Sequence, residues 1–367
     1  MEDCPLERRN FLKGAALAGA AAAASTTLAA PAIAQNKREL KMVMAWPKNS
    51  PGAGTSGQRV ADRITQLSGG ALTVKVYGAG ELVPAFQSFD AVSAGDADMY
   101  HAAEYYFQGK AKGYNFLTAV PFGMTGIETH AWIRYGGGQE LWDELSAGFN
   151  VKGFPSHTTG TQMGGWFRKE INTVDDFKGL KMRMPGLGGE VLRALGATPL
   201  NLPIGEIYPS LQSGAIDATE WVGPWQDLAF GFYKICKNYY GPGFHEPGTV
   251  ASFGINKKLY DSLPKDQQEL ISVVIKAEAQ DQSSEFNALN QSSLDTLVNK
   301  HGVKVRAFPE ELMMKAKAAA ADVVASMAAT DAMTKRIADS YEAFLKQSIE
   351  YAPRAELGYM NFRAKNG

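Results

Sequence analysis

The sequence predicts an α/β protein of two similarly built domains, with a ligand cleft between them and a helical C-terminal region. Three observations predict this fold: strands alternate with helices, the alternation recurs later in the chain, and a helical pattern fills the last third. The 367 residues, 45% of them hydrophobic, suffice for two cores. The net charge of −1 gives no basic excess for binding nucleic acid or anionic lipid.

The first residues predict export. A twin-arginine pair in 7-ERRNFLK-13 precedes a weakly apolar, Ala-rich run that ends in 32-AIA-34, a cleavage signal of the A-x-A type. We therefore predict a twin-arginine export signal over residues 1–34 and a mature, periplasmic chain from Gln35. The alternative is a membrane anchor, which the Ala-rich composition and the cleavage signal disfavour.

Two β-α-β-α-β units follow. The first has predicted strands over 40–46, 71–78 and 96–102 and helices over 58–70 and 84–95; the second has strands over 180–186, 198–203 and 215–221 and helices over 187–196 and 205–214. When 93-SAGDADMYHA-102 is aligned with 212-QSGAIDATEW-221, the helix-ending Gly95 matches Gly214, and Asp98 falls near Asp217 in the alignment. Such units predict mostly parallel sheets that bind ligands at the carboxyl ends of their strands.

The domain boundaries follow from the same patterns. We predict that domain I comprises residues 35–157 and about 249–290. Domain II is predicted to comprise 158–248 and part of the C-terminal region.

The last third is predicted to be helical. One helical pattern runs to about Lys300, a strand-like stretch covers 302–308, and a second helical pattern runs from Pro309 to about Tyr351. The second pattern is far longer than an average helix of about 11–12 residues, and its Met, Val, Ile and Phe stripe needs a partner surface. Residues 309–367 are thus predicted to form a long helical extension in a dimer interface. The alternative is packing on its own domains, with a break near 329–332.

Charged side chains at strand ends mark the predicted cleft. Glu220 and Trp221 lie where the strand over 215–221 leaves its sheet, and Arg183 alternates with two methionines near the end of another strand. A carboxylate beside tryptophans either has a raised pKa or needs a cation, and an arginine can hold a carboxylate bidentately. The structural alternatives are a solvated strand-end charge for Glu220 and an ion pair with a nearby acid for Arg183.

Two further candidates lie on loops. Gln162 belongs to a Gly/Thr-rich crossing between the predicted domains, 156-SHTTGTQMGGWFRKE-170, and offers an amide to a ligand or ion. Glu246 lies on the turn 241-GPGFHEPG-248. An ordinary surface turn is the alternative for both.

The sequence lacks the motifs of common enzymes. None of the five histidines pair at the H-x-x-x-H spacing of metal sites, and neither a P-loop nor G-x-S-x-G occurs. An exported lyase or hydrolase that uses Glu220 or Glu246 as a base stays as an alternative, which a ligand returned unchanged would exclude. A ligand sensor for a signalling kinase is a third possibility that the sequence does not separate from transport.

Six strings are specific enough to compare with known families. They are 71-ALTVKVYGAGELVPAF-86, 132-WIRYGGGQELWDEL-145, 159-TGTQMGGWFRKEI-171, 179-GLKMRMPGLGGEVL-192, 215-AIDATEWVGPWQDLAFGFYK-234 and 242-PGFHEPG-248. They resemble the periplasmic solute receptors of TRAP transporters, the DctP superfamily, in the branch that binds 2-oxo or 2-hydroxy monocarboxylates such as pyruvate and lactate. The resemblance implies a two-domain periplasmic solute-binding fold (type II-like) with a long C-terminal helix, no enzymatic activity, and delivery of the ligand to membrane subunits.

The resemblance also implies roles for single residues. A basic residue matching Arg183 clamps the ligand carboxylate, a cation bridges ligand and protein, and aromatic residues of the first domain close the opposite side. The implied substrate-binding positions are Arg183, Gln162, Trp221, Tyr100, His101 and Trp46. The implied cation ligands are Gln162, Glu220, the backbone carbonyl of Trp221, and Glu246. A homodimer with an exchanged C-terminal helix is implied as well.

Charge counting supports a cation independently. A bound monocarboxylate, Glu220 and Glu246 would face Arg183 alone, which leaves two uncompensated negative charges in a partly dry cleft. A sodium ion would leave one negative charge and a calcium ion none, and oxygen ligands suit both ions. The resemblance favours sodium and charge counting favours calcium; sodium is our prediction and calcium the alternative.

Overall fold

The computed structural model describes residues 37–367, so the predicted export signal lies outside the described residues. The strands are β1 (Arg38–Met44), β2 (Leu72–Tyr77), β3 (Met99–Ala102), β4 (Val151–Thr158), β5 (Gly165–Phe167), β6 (Lys181–Arg183), β7 (Thr198–Leu200), β8 (Ala218–Thr219), β9 (Asn238–Tyr240), β10 (Val250–Asn256) and β11 (Lys304–Arg306). The helices are α1 (Ala53–Leu67), α2 (Ser88–Ala94), α3 (Gly126–Tyr135), α4 (Gly138–Ala147), α5 (Gly186–Ala194), α6 (Ile204–Ser213), α7 (Pro224–Phe230), α8 (Lys257–Ser262), α9 (Lys265–His301), α10 (Glu310–Ala328), α11 (Ala332–Tyr351) and α12 (Glu356–Asn366). Within residues 37–367, no helix combines the length and apolar character needed to cross a bilayer.

The strands form two mixed sheets. The first has the order β2-β1-β3-β10-β4 and the second the order β11-β9-β5-β8-β6-β7. In each sheet three parallel strands are followed by an antiparallel one, which is β10 in the first sheet and β5 in the second. The chain therefore passes from the first sheet to the second between β4 and β5 and returns between β9 and β10. The predicted α/β class is confirmed, while the domain boundaries stay a prediction.

The parallel part of each sheet is built on a similar short sequence. The string 40-LKMVM-44 lies in β1, and 180-LKMRM-184 contains β6; these are the central strands of the two parallel triplets. The backbone N–H of Lys41 donates to Asp98 at 2.7 Å. In the same way, the backbone N–H of Lys181 donates to Asp217 at 3.0 Å. The sheets are thus equivalent residue by residue at these positions.

The helices before these aspartates end in the same way. Gly95 and Gly214 adopt φ of 91° and 77°, a left-handed conformation that a side chain would disfavour. With the units in this register, Arg183 occupies the position that Val43 has in the first sheet. The second sheet therefore carries a charge where the first carries an apolar side chain.

The C-terminal third is helical, as predicted, and begins with the 37-residue helix α9. The predicted pattern from Pro309 to Tyr351 is divided into α10 and α11, because Asp331 accepts a hydrogen bond from the Thr334 N–H at 2.8 Å and caps α11. The break near 329–332, which is the alternative to one continuous helix, is therefore observed. Ile337 and Tyr341 of α11 are buried against the same chain, whereas α12 buries no residue.

Candidate ligand and cation site

Arg183 is the positive centre of the site. It ends β6, and its side chain is 1% exposed. Its Nε donates to the Leu202 carbonyl at 3.2 Å, and its Nη1 donates to the Glu220 carboxylate, while Nη2 has no partner among the described residues. Burial by itself lowers the pKa of Arg183, but the negative groups around it, Glu220 foremost, together outweigh burial and raise it. Arg183 is therefore charged, buried and only partly hydrogen-bonded.

Glu220 follows β8 directly and faces Arg183 with one carboxylate oxygen. Its second oxygen, Oε2, accepts no hydrogen bond from the described residues and lies 3.4 Å from Nε2 of His245. The side chain is 1% exposed. Leaving a buried carboxylate oxygen unpaired costs free energy, so this oxygen is available to a ligand that the chain does not supply.

Gln162 and Glu246 form a hydrogen-bonded chain beside Glu220. The Gln162 amide nitrogen donates to Thr249 Oγ1 at 2.9 Å, and the Thr249 hydroxyl donates to Glu246. This direction fixes the Gln162 amide so that its oxygen, Oε1, is the buried atom left without a partner in the described chain. Burial first, and then the charge of Glu220, raise the pKa of Glu246 to about 7.

The unpaired atoms of Arg183, Gln162 and Glu220 are of two kinds. Arg183 offers an unused N–H donor, and Gln162 and Glu220 offer unused oxygen acceptors. Oxygen and nitrogen atoms of Glu220, His245 and Glu246 also lie within 4.8 Å of one another. An anion fits the donor, and a hard cation fits the acceptors, since such cations take carboxylate and amide oxygens. The residues present therefore fit a cation held beside an anionic ligand.

Aromatic residues surround the guanidinium. The Trp221 ring lies 5.0 Å from the Arg183 guanidinium carbon, a cation–π arrangement. Tyr105 and Tyr106 follow β3 from the first sheet. Burial raises the pKa of both hydroxyls, and the charges of Arg183, Glu220 and Glu246 act on both. The two tyrosines thus bring the first sheet to the charged cluster of the second.

The candidates from the first sheet lie in several places. The Tyr100 hydroxyl donates to Glu104 at 2.7 Å, and its ring packs on Phe89 and Phe107 in the core. His101 stacks on Phe253 at 3.9 Å and touches Trp46 edge-on at 4.7 Å.

His101 also hydrogen-bonds the Ser252 carbonyl through Nδ1, and burial lowers its pKa to about 3. A carbonyl only accepts, so Nδ1 carries the proton. The structure brings His101 and Trp46 together. It also brings together five other candidates, which are Arg183, Glu220, Glu246, Gln162 and Trp221. Roles for Tyr100, His101 and Trp46 in ligand binding stay predictions.

The sequence patterns did not identify three residues that lie near the cluster. They are Tyr105, Tyr106 and His245. Each lies next to a feature that the sequence did single out: the tyrosines follow the end of a predicted strand, and His245 precedes Glu246. Only the tertiary fold places them near Arg183 and Glu220, so adjacency in sequence was the available signal.

Comparison with known proteins places the chain in a family. Residues 42–331 match the family model described as bacterial extracellular solute-binding protein, family 7. The chain belongs to this family. A relative of this family 7 protein, the monocarboxylate 2-oxoacid-binding periplasmic protein of Nostoc sp., is 38% identical over 366 residues, 98% of this chain and 100% of the relative.

Two solved structures are similar to this family 7 receptor. They are TRAP periplasmic solute binding proteins from Pseudoalteromonas atlantica and Colwellia psychrerythraea, each 41% identical with a TM-score of 0.86. The similarity covers 89% of this chain and 99% of each of theirs. The first holds sodium and pyruvate, and the second holds calcium and pyruvate.

The family assignment confirms several predictions. This family 7 protein is an extracytoplasmic receptor of a TRAP transporter, which works with membrane subunits, and it is not an enzyme. Residues 5–25 match the twin-arginine translocation signal, so the predicted export to the periplasm by that pathway is confirmed as well.

Proposed function

We propose that this receptor binds a small 2-oxo or 2-hydroxy monocarboxylate, pyruvate or a close analogue, together with a cation. The observation that carries the proposal is the pairing of unused buried atoms, a donor on Arg183 beside acceptors on Gln162 and Glu220. A 2-oxo or 2-hydroxy acid has an anionic group for the donor and oxygen atoms that a cation can share. The relative from Nostoc sp. and the two solved structures support this ligand class by what they bind.

Arg183 holds the ligand carboxylate in this proposal. Its Nη2 is unused, and the hydrogen bonds of Nε and Nη1 to Leu202 and Glu220 fix the plane in which Nη2 donates. The Trp221 ring covers the guanidinium, and the hydroxyls of Tyr105 and Tyr106 supply polar groups from the first sheet. These positions favour a compact ligand with one carboxylate.

The cation is held by Gln162 Oε1, the carboxylates of Glu220 and Glu246, and the Trp221 carbonyl. We favour sodium, with calcium as the second candidate, and each ion has been found with pyruvate in one of the two similar structures. The ion neutralises part of the negative charge that Glu220, Glu246 and the ligand place around Arg183. A second carboxylate on the ligand would add to that charge and would weaken binding.

The C-terminal helix supports a homodimer. Tyr359, Met360 and Phe362 of α12 are 64%, 53% and 66% exposed, and α12 buries none of its residues. Large apolar side chains exposed together mark an interaction surface. We infer that α12 packs on a second copy of this chain, as the resemblance to the TRAP receptors implies.

Calorimetry of the mature chain with four ligands tests the proposed ligand class. Pyruvate, lactate and a branched 2-oxo acid are expected to bind more tightly than succinate in sodium-containing buffer. Recovery of each ligand unchanged after overnight incubation is the control for the absence of turnover. Tightest binding of succinate would contradict the proposal.

A further inference from the structure

Asp227 is a buried carboxylate that the proposed binding scheme does not use. It lies in the first turn of α7 and is 1% exposed. Its Oδ2 accepts hydrogen bonds from Trp166 Nε1 at 2.9 Å and from the Tyr239 hydroxyl at 2.7 Å. Its Oδ1 accepts one from the backbone N–H of Val222 at 3.2 Å. Both oxygens therefore have partners, and one of the partners belongs to the backbone of the site.

The Val222 N–H and the Trp221 carbonyl belong to the same peptide unit. This peptide is trans, so its N–H and C=O point in opposite directions. A carboxylate that holds the N–H from one side therefore fixes the direction of the carbonyl on the other side. The Val222 carbonyl accepts from the Met163 N–H at 3.0 Å, which limits rotation of the segment further.

We propose that Asp227 is a positioning residue that aims the Trp221 carbonyl at the cation. The inference rests on the proposed function, in which that carbonyl is a cation ligand. Residues behind the metal ligands typically change metal affinity by about 10- to 100-fold when they are replaced, because they orient the ligand atoms. Trp166 and Tyr239 hold the Asp227 side chain in place. Their rings stack at 3.9 Å, and both donate a hydrogen bond to its carboxylate.

The donors around Asp227 explain why an amide does not replace the carboxylate. Trp166 Nε1 faces one oxygen and the Val222 N–H faces the other, and both groups can only donate. An asparagine has one oxygen and one NH₂, so its NH₂ must meet one of these N–H groups. If the NH₂ faces Val222, the Trp221–Val222 peptide is free to turn. If it faces the Trp166 N–H, repulsion between the two donors displaces the side chain from its position against Val222.

Asp227→Asn is therefore expected to lower cation affinity at least tenfold. We would titrate the mature protein with Na⁺ and, separately, Ca²⁺ by calorimetry, and measure pyruvate affinity at low and at saturating concentrations of the ion that supports binding. Saturating cation should restore pyruvate affinity to within about threefold, which a general loss of structure would not allow. Asp217→Asn is the matched control, since Asp217 also accepts a backbone N–H in the second sheet but lies outside the site.

A double variant tests the geometric argument. Trp166→Phe keeps an aromatic ring, though a smaller one, and removes the N–H. In Trp166→Phe/Asp227→Asn the NH₂ can therefore face the Tyr239 oxygen, and the amide oxygen can accept from Val222. This variant is expected to regain most of the cation affinity that Asp227→Asn loses. A folded Asp227→Asn with wild-type cation affinity, or a folded double variant without recovery, would overturn the inference.

A measurement on the wild type keeps the test independent of variants that do not fold. With ¹⁵N-labelled valine, the Val222 amide resonance should shift when the cation binds, since coordination of the Trp221 carbonyl polarises the same peptide. If the protein binds the cation but the Val222 amide resonance does not shift, the role of Asp227 is overturned and the proposed function is unaffected. A wild type in which pyruvate binding is indifferent to both ions would instead overturn the proposed function.

Discussion

Two charged residues distinguish the site from the equivalent positions of the first sheet. Arg183 stands where the first sheet has Val43, and Glu220 aligns with His101. A buried guanidinium without a partner would cost several kcal/mol, so the arginine requires an anion within reach. Glu220 supplies that partner and leaves one donor of Arg183 unused. The same backbone plan thus gives an apolar strand in one sheet and a binding site in the other.

Arg183→Lys should lower the affinity for pyruvate at least tenfold, equivalent to about 1.4 kcal/mol. Lysine keeps the charge but lacks the planar set of N–H groups that bonds Leu202, Glu220 and the ligand in fixed directions. Calorimetry gives the affinity, and thermal unfolding checks that the fold survives. Arg168→Lys in the same region is the control, expected to bind pyruvate like the wild type. Unchanged affinity in Arg183→Lys would make Arg183 a structural residue.

At the scale of elements, the sequence predicted the order of strands and helices but not all their lengths. The strand expected over 215–221 is only Ala218–Thr219, because Glu220 turns toward Arg183 and Trp221 leaves the sheet. The hydrophobic pattern still located the end of the strand, where the site lies. It could not locate Tyr105 and Tyr106, because their approach to Arg183 is a contact between distant parts of the chain.

The C-terminal helices show a similar limit. Periodicity alone extended one pattern from Pro309 to Tyr351, since an apolar stripe continues through both α10 and α11. The break is a local capping event at Asp331, which the 329-ATDA-332 stretch signalled weakly. Which helix packs on its own chain depends on tertiary contacts, and α11 does so through Ile337 and Tyr341.

Deletion of residues 355–367 should convert a dimer into a monomer without changing pyruvate affinity. The deletion removes α12, which buries no residue in its own chain, and it spares α11. Light scattering on the mature and truncated chains gives the masses. Deletion from residue 330 onward is the contrasting variant, expected to aggregate or unfold because it also removes Tyr341, whose hydroxyl accepts from the Met124 N–H at 2.8 Å. A monomeric full-length mature chain would exclude the dimer.

At the scale of the whole molecule, two of the three crossings between the sheets, from β4 to β5 and from β9 to β10, meet at the cation site. Gln162 lies between β4 and β5, and Glu246 lies between β9 and β10. The Gln162 N–H donates to the Glu246 carbonyl at 3.1 Å, and the Gly243 N–H donates to the Gln162 carbonyl at 2.7 Å. A cation bound by both side chains therefore ties together two of the segments that join the sheets, and the ligand on Arg183 lies beside them.

Stability should depend on pH through a buried acid that is not one of the proposed cation ligands. Burial raises the pKa of Glu104 to about 7, against the lowering effect of its hydrogen bond from Tyr100. Because the folded pKa exceeds the unfolded value of 4.5, the stabilisation is complete below about pH 4.5 and is lost as pH rises to about 7. Over this pH range the wild type should lose about 3 kcal/mol of unfolding free energy through Glu104, and Glu104→Gln should lack this loss. Urea unfolding of both proteins at pH 4.5 and 7.5 measures it, and identical pH dependence would contradict the assignment.

The cation and the ligand should each raise the affinity of the protein for the other, because each offsets charge that the other leaves unbalanced. The ligand carboxylate adds negative charge beside Glu220 and Glu246, and the cation removes it. By linkage, the factor by which the ion raises pyruvate affinity must equal the factor by which pyruvate raises ion affinity. Calorimetric titrations in metal-free buffer, in Na⁺ and in Ca²⁺ give both factors, and we expect at least tenfold for the supporting ion. Glu220→Gln keeps the shape and removes one charge, so the coupling should fall toward unity. The thermal unfolding midpoint should fall as well, because Arg183 loses its buried anionic partner. Pyruvate affinity that ignores both ions in the wild type and in Glu220→Gln would leave Glu220 as the partner of Arg183 alone.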